Sequence, residues 1–387
     1  MRQGLLNRMN ILFITHHDNF QGSSRSLLSM LEGLRDYPVS PHVIVPAESA
    51  FTDRLATQGF PFKILPVPWW MSTKDLSLKS KLRAAREIRS AAQQIEAQIR
   101  AWEIDLVYTN SSVTPVGRLA AKRAGLPHIW HIREYYDKYF EMHYIFPAWW
   151  CRCLMRSSQA IICHAKGVLH RYFPDKPKNV HLVYNGVASL PVFDERLSKR
   201  QSTPTSEPYT FLMLSAITPK KGQEQAIRAL ASLRRQGIPA RLILAGGGRQ
   251  DYLSQLQALV AELGLQDWVS FPGFVTDPFP LYYQADCALV CSEYEAFSRV
   301  ALEAMSTALP VIGRNSGGTP EIIVDGETGL LYNAYDELVE AMRRLTQDRS
   351  LSRKMGLAGW ERARELFSIE QCAASVYQVI QSVMSKA

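Results

Sequence analysis

SEYEAFSRVALEAMSTALPVIGRNSGGTPE, residues 292–321, is the stretch whose reading decides the fold. The run before it, ADCALVC at 285–291, reads as a buried strand. Ser298 stands where an N-cap belongs, and residues 299–308 are predicted to form a helix. Pro310 ends that helix and residues 311–313 begin another strand. Ser316-Gly317-Gly318 then form a turn, and Pro320-Glu321 open a further helix. Strands alternating with helices predict a parallel α/β sheet. Glu295 is therefore expected on a loop at a strand's C-terminal end, and Glu303 a little over one turn into the helix. Open parallel sheets bind ligands at that edge. The free N–H groups and positive dipole end of the helix suit a phosphate.

The same alternation runs through the chain. Strands are expected at 10–15, 39–45, 60–67, 104–108, 128–132, 160–163 and 180–184. A second set begins at 210–215 and continues at 241–245 and 269–271. The longest helical pattern spans 76–102, with Leu78, Leu82, Ala85, Ala92, Ile95, Ile99 and Trp102 on one stripe. Residues 188–208 are polar and rich in Ser, Thr and Pro, which reads as a linker. The chain of 387 residues thus divides into two domains. The expected boundaries are 1–190, a linker at 191–208, a second domain at 209–366, and a last helical segment at 367–387.

No apolar run reaches the roughly 18–20 residues of a membrane-spanning helix. Residues 1–8 do not read as a signal peptide, and Met9 makes a natural start for the first strand. Six cysteines show no metal-like CxxC pairing, and Cys287 and Cys291 fall on a buried strand, so they read as core thiols. The net charge of +8 favours anionic partners such as nucleotides or phospholipid surfaces. No recognised nucleic-acid motif accompanies it. A dinucleotide fingerprint fails: Gly246-Gly247-Gly248 follows a strand, but Asp251 occupies the third glycine's place. No Asp-x-Asp metal triad stands at a strand end.

Taken together, the motifs resemble the retaining, nucleotide-sugar-dependent glycosyltransferases of family 4, over nearly the whole chain. Glu295 and Glu303 match the family's pair of glutamates eight residues apart. ALEAMSTALPVI (301–312), SGGTPEII (316–323), PKKGQEQAIRAL (219–230), VSFPGFVTDPFPLYYQADCALVCS (269–292), YNGV (184–187), IDLVYTNSS (104–112) and GLPHIWHIRE (125–134) match further segments in order. The resemblance implies a GT-B fold, two Rossmann-like domains facing a central cleft, with the C-terminal helix crossing back to the N-domain. It implies transfer of a sugar from a nucleotide diphosphate donor, UDP- or GDP-linked, to a glycan or lipid-linked acceptor in surface polysaccharide or glycolipid synthesis. Neither a metal nor a cofactor is implied.

Roles follow residue by residue from that resemblance. Glu295 reaches the donor sugar's hydroxyls, Glu303 the ribose, and Lys221 the pyrophosphate. His131 lies near the transferred sugar. The backbone at Ala296, Phe297 and Ser298 faces sugar and diphosphate; Gly22, Val275 and Arg299 complete the donor contacts. His16, His17, Asp18, Ser23 and Arg25 are expected on the acceptor side. The sequence departs from the family pattern at Ala216, where an arginine is common, and at Ala296 and Ala308, where glycine is. Alanine is compatible with helical backbone at 308, whereas Ala296 narrows the expected sugar pocket. A nucleotide-sugar epimerase of GT-B shape and a non-catalytic glycan- or nucleotide-binding protein are the alternatives. Separately, residues 135–156 are crowded with aromatics. Trp149 and Trp150 beside Arg152 and Arg156 suit an anionic membrane surface, as do Lys79, Arg83 and Arg86 on the long helix. A cytoplasmic protein, peripheral on the inner face of the plasma membrane, is the expected setting.

Overall fold

A computed structural model describes residues 8–16, 22–133, 141–203 and 207–386. The chain forms two compact units, one of Met1–Gly186 with Ile369–Ala387, the other of Val187–Ser368. The first unit contains β1 (Met9–Ile14), β2 (Val39–Val45), β3 (Phe62–Ile64), β4 (Met71–Ser72), β5 (Leu106–Thr109), β6 (His128–Ile132), β7 (His143–Tyr144), β8 (Ala160–Cys163) and β9 (Val180–Leu182). Seven of these make one parallel sheet in the order β3-β2-β1-β5-β6-β8-β9, while β4 and β7 pair antiparallel. The central strands are apolar on both faces, as a sheet covered by helices requires.

The second unit contains β10 (Tyr209–Leu214), β11 (Ala240–Ala245), β12 (Val269–Gly273), β13 (Cys287–Val290), β14 (Val311–Arg314) and β15 (Gly329–Tyr332). They form a parallel sheet in the order β12-β11-β10-β13-β14-β15. Chain order reverses between β1 and β5 in the first sheet and between β10 and β13 in the second. Each reversal is a topological switch point, where the flanking loops diverge and leave a crevice beyond the strand C-termini. The loops after β10 and β13 carry Lys221 and Glu295.

The helix Ile369–Met384 packs on the helix Gly22–Gly33 of the first unit. A Cβ built on Gly33 would lie 2.7 Å from Ala373 Cβ and 2.8 Å from Ile369 Cγ2, so the two helices approach too closely for any side chain there.

Three expectations need correction. Much of the expected linker is ordered: Leu190–Ser202 is a helix with Phe193 buried. Its outer face is exposed and polar, while two arginines latch it to the rest of the unit. Arg196 donates to Ser306 Oγ at 2.8 Å, and Arg200 donates to the carbonyls of Tyr282, Tyr283, Ala285 and Thr307. Gly22 is the first residue of its helix rather than part of a βα loop. Ala308 is not helical; its φ of +53° is left-handed, because the chain must reverse between the Arg299–Ser306 helix and β14.

Candidate functional site

In the second unit, Lys221 ends a short 3-10 turn, Pro219–Lys221, after β10. Gly222 follows with φ +82°, and a Cβ on it would come within 2.6 Å of the Cys291 carbonyl. That glycine lets the loop after β10 lie directly on the end of β13. The Glu293 N–H donates to the Lys220 carbonyl at 3.1 Å, which fixes the approach. Lys221 Nζ and Glu295 Oε1 then meet at 2.5 Å, with side chains only 14% and 19% exposed. Partial desolvation strengthens such a pair relative to a surface ion pair.

The turn after β14 supports Glu295 from the other side. The Gly318 N–H donates to the Glu295 carbonyl at 2.7 Å, and Ser316 Oγ donates to the Glu293 carbonyl at 2.6 Å. Added Cβ atoms at Gly317 and Gly318 would sit 2.1 Å from the Glu295 oxygen and 2.3 Å from the Ala296 oxygen. Both positions therefore require glycine for close backbone approach.

Ser298 caps the Arg299–Ser306 helix, its Oγ accepting from the Ala301 N–H at 3.3 Å. Glu303 is 5% exposed on that helix. Arg299 Nε donates to Glu303 Oε1 at 2.9 Å and Tyr282 OH to Oε2 at 3.3 Å. Burial, and then the Glu303 charge, pushes the Tyr282 hydroxyl well above its ordinary pKa, so it stays a donor. Tyr282 is a contact that sequence reading missed; within the apolar run FPLYYQ it carries only a core-residue signal. Phe297 packs edge-on against Phe367 at 5.8 Å. Val275 lies on the loop between β12 and the Phe279–Gln284 helix, half-buried. Gln223, fully buried, donates to the Ala216 carbonyl at 2.8 Å and to Ser215 Oγ at 3.1 Å, tying down the loop where the expected arginine is lacking.

In the first unit, His131 is fully buried near the end of β6. Tyr108 OH lies 2.5 Å from His131 Nδ1 and 3.6 Å from Met30 Sδ. Burial, with Arg133 and His164 adding to it, holds the His131 imidazole well below the ordinary histidine range. The ring is neutral. The stronger acceptor for the tyrosine proton is Nδ1, which assigns the ring proton to Nε2. Nε2 meets no hydrogen-bond partner among the described residues. Arg133 is buried beside it, donating to Asn110 Oδ1 at 2.6 Å and to Asn185 Oδ1. His16 is 3% exposed, its ring edge-on to Trp69 at 5.2 Å. Ser23 and Arg25 lie in the first turn of the Gly22–Gly33 helix. His17 and Asp18 lie outside the described residues.

Among the aromatics, Trp149 and Trp150 lie on the helix Ala148–Arg156 and are 68% and 37% exposed. Arg156 pairs with Asp175 at 2.6 Å, and Arg83 with Glu87 at 2.8 Å. All six cysteines are free, Cys153 being the exposed one. Among the described residues, no helix is long and apolar enough to cross a membrane.

Residues 194–362 match the family described as Glycosyl transferases group 1, and residues 21–186 match the Glycosyl transferase 4-like domain. A GDP-mannose-dependent alpha-(1-6)-phosphatidylinositol monomannoside mannosyltransferase of Mycobacterium tuberculosis is 37% identical over 163 residues, 39% of this chain and 42% of that protein. The chain thus spans less than half the length of that relative. An MMP alpha-(1->4)-mannosyltransferase of Mycolicibacterium hassiacum is 25% identical over 79% of this chain and 75% of its own. Among solved structures, Anabaena Alr3699/HepE in complex with UDP superposes with a TM-score of 0.77 at 22% identity, covering 97% of this chain and all of that one. A glycosyltransferase from Rickettsia africae gives 0.81 at 19%, covering 98% and 100%. Two family matches that together take in most of both units, and GT-B neighbours along nearly the whole length, agree: the chain belongs to the group 1 glycosyl transferases of family 4, with the GT-B fold.

Proposed function

We propose that the chain is a retaining glycosyltransferase that moves a sugar from a nucleotide diphosphate donor to a glycan or lipid-linked acceptor. The observation that carries this reading is the Lys221–Glu295 pair at the β10/β13 switch point, beside the capped helix bearing Glu303. Lys221 and the helix N-terminus supply positive charge where a diphosphate leaves, so no resident metal ion is required. When a diphosphate draws Lys221, Glu295 is released to accept hydrogen bonds from sugar hydroxyls. Glu303, held by Arg299 and Tyr282, presents its remaining lone pairs to a ribose diol. Within the first unit, His131 carries a neutral N–H donor, the group that the family resemblance assigns to the transferred sugar.

In the reaction, the bond from the anomeric carbon to the β-phosphate oxygen breaks and the acceptor oxygen bonds to that carbon on the same face. The acceptor proton passes to the departing phosphate oxygen. The relatives named as GDP-mannose-dependent and the neighbour crystallised with UDP support a nucleotide sugar as donor. Trp149, Trp150 and Arg152 support work at an anionic membrane surface, on the cytoplasmic face. Arg156, already paired with Asp175, contributes less.

The test has two parts. Thermal-shift screening against UDP, GDP, ADP and their sugars identifies the donor, since a ligand of the folded state raises the melting temperature. Lys221→Ala should then lower turnover by about 10²–10³, as expected for loss of one charge-stabilising donor. Unchanged turnover in a folded variant would sink the site assignment.

A further inference from the structure

One cavity of the first unit plays no part in the chemistry above. Its volume is about 590 Å³, within the roughly 300–1,000 Å³ of small-ligand sites. The long helix Leu78–Ala101 supplies Ala85, Ile88 and Ala92 to one wall. Leu119 and Pro115 form the opposite wall, and Phe146, Trp149 and Trp150 close one side. Trp150 is fixed rather than mobile in its packing: its ring stands edge-on to Trp70 at 6.2 Å and to Phe146 at 5.6 Å, and Trp70 stacks on buried Trp130. The aromatic wall is therefore an extension of the core.

Cations surround this apolar slot. Arg89, Lys122 and Arg123 line it, all exposed. Arg123 is paired with Glu96 at 2.6 Å, while Arg89 and Lys122 form no ion pair among the described residues. The helix also extends the apolar floor outward. Positions 78, 82, 85, 89 and 92 recur at helical spacing, and Leu78 and Leu82 are 75% and 53% exposed. An apolar slot with a leucine lip and a cationic rim matches an amphiphile with one hydrocarbon chain and an anionic head. It does not match a polar metabolite, which would need donors and acceptors inside the slot.

We propose that this cavity binds one acyl chain of an anionic lipid, with the head group against Arg89 and Lys122. The site is independent of the transferase reading and survives its failure, because no residue in it belongs to the catalytic arrangement. It is also distinct from adsorption to a bilayer, since a single lipid molecule in water should occupy it.

The probe is 1-myristoyl-lysophosphatidylglycerol kept below its critical micelle concentration, followed by tryptophan fluorescence and equilibrium dialysis. Saturable binding of one lipid per chain is expected, and glycerol phosphate alone should not bind. Lysophosphatidylcholine of the same chain length should bind about fivefold more weakly, the effect of one lost contact between a basic residue and an anionic head. Ala85→Trp and, from the other wall, Leu119→Trp should each weaken binding by about tenfold or more by filling the slot. Arg89→Glu should reduce affinity for the phosphatidylglycerol form and leave the choline form within about twofold. A chain-length series needs no variant at all: affinity should rise with length and then level off once the slot is full. Absence of saturable binding, an affinity independent of chain length, or full binding by folded Ala85→Trp and Leu119→Trp would each overturn the proposal.

Discussion

Acidification from about pH 7 to about pH 5 should open the first unit and spare Val187–Ser368. All nine histidines lie between positions 16 and 181, so the second unit has none. His128, His131 and His164 are buried and held neutral. For all three, desolvation is the leading cause; Arg118 adds to it for His128, and Arg133 for the other two. The His164 imidazole is pushed down to about 3. The His128 ring nitrogens meet Ser158 Oγ at 2.9 Å and Thr109 Oγ1 at 2.8 Å.

The sign follows from linkage. The folded-state pKa values lie below the unfolded value of about 6.5, so the unfolded chain takes up protons first. Stability from these groups is fully present above that pH and is lost as the pH falls through it. For His164, between pH 7 and 5, the loss is about 2 kcal/mol. His128 and His131 add to it in the same direction. His42 and His181, half-buried and also shifted down, add in the same direction. In the second unit Asp286 works oppositely, since burial raises its carboxyl and favours the protonated fold. Hydrogen exchange by mass spectrometry, corrected for intrinsic rates, reads the two units separately. Protection in β6 and β8 should fall by about thirtyfold or more while β10 and β13 stay within about tenfold. A fall below tenfold in β6 and β8, or an equal fall in both units, would refute the reasoning.

Other perturbations test the site and its frame. Ala308→Gly should stabilise the second unit by about 0.5–1 kcal/mol in urea unfolding, the relief of left-handed alanine less the added freedom of the unfolded chain. Gly318→Ala should cost about 10² in kcat/KM, because its Cβ would press on the Ala296 carbonyl and shift the loop bearing Glu295; activity within a fewfold of wild type would mean that the loop's position matters little. Gly33→Val should destabilise the first unit by about 2–3 kcal/mol through overpacking against Ala373 and Ile369. An unchanged denaturation midpoint would show that the terminal helix yields freely.

Much of the region around Glu295 was legible because its punctuation is local. Ser298 caps as its position suggested, and the β13 and β14 strands fall where apolar runs predicted, although the helix ends at Ser306, before Pro310 is reached. The helix Ile369–Met384 falls within the helical segment expected at 367–387. Strand order was not legible, since pairing of β10 with β13 joins residues more than 70 positions apart through no periodic signal. Family resemblance assigned Lys221 and Glu295 to separate parts of the donor; their direct contact was not legible from spacing. The Leu190–Ser202 helix escaped notice because its bonds run from arginine to backbone carbonyls, which look from sequence like solvated charge. The left-handed turn at Ala308 was hidden by a residue that ordinarily favours helix.

The first unit is built from two separated lengths of chain, Met1–Gly186 and Ile369–Ala387, with the whole of the second unit inserted between them. During synthesis, the Gly22–Gly33 helix must therefore wait for its partner while some 180 residues of the second unit are made. At about 5–20 residues per second that interval is on the order of ten seconds or more. The second unit, continuous in sequence, is free to fold first. The part of the first unit's apolar core that Ile369–Met384 completes, with Cys372, Ala373, Val376 and Ile380, thus stays uncovered for that interval, a surface for a chaperone to shield.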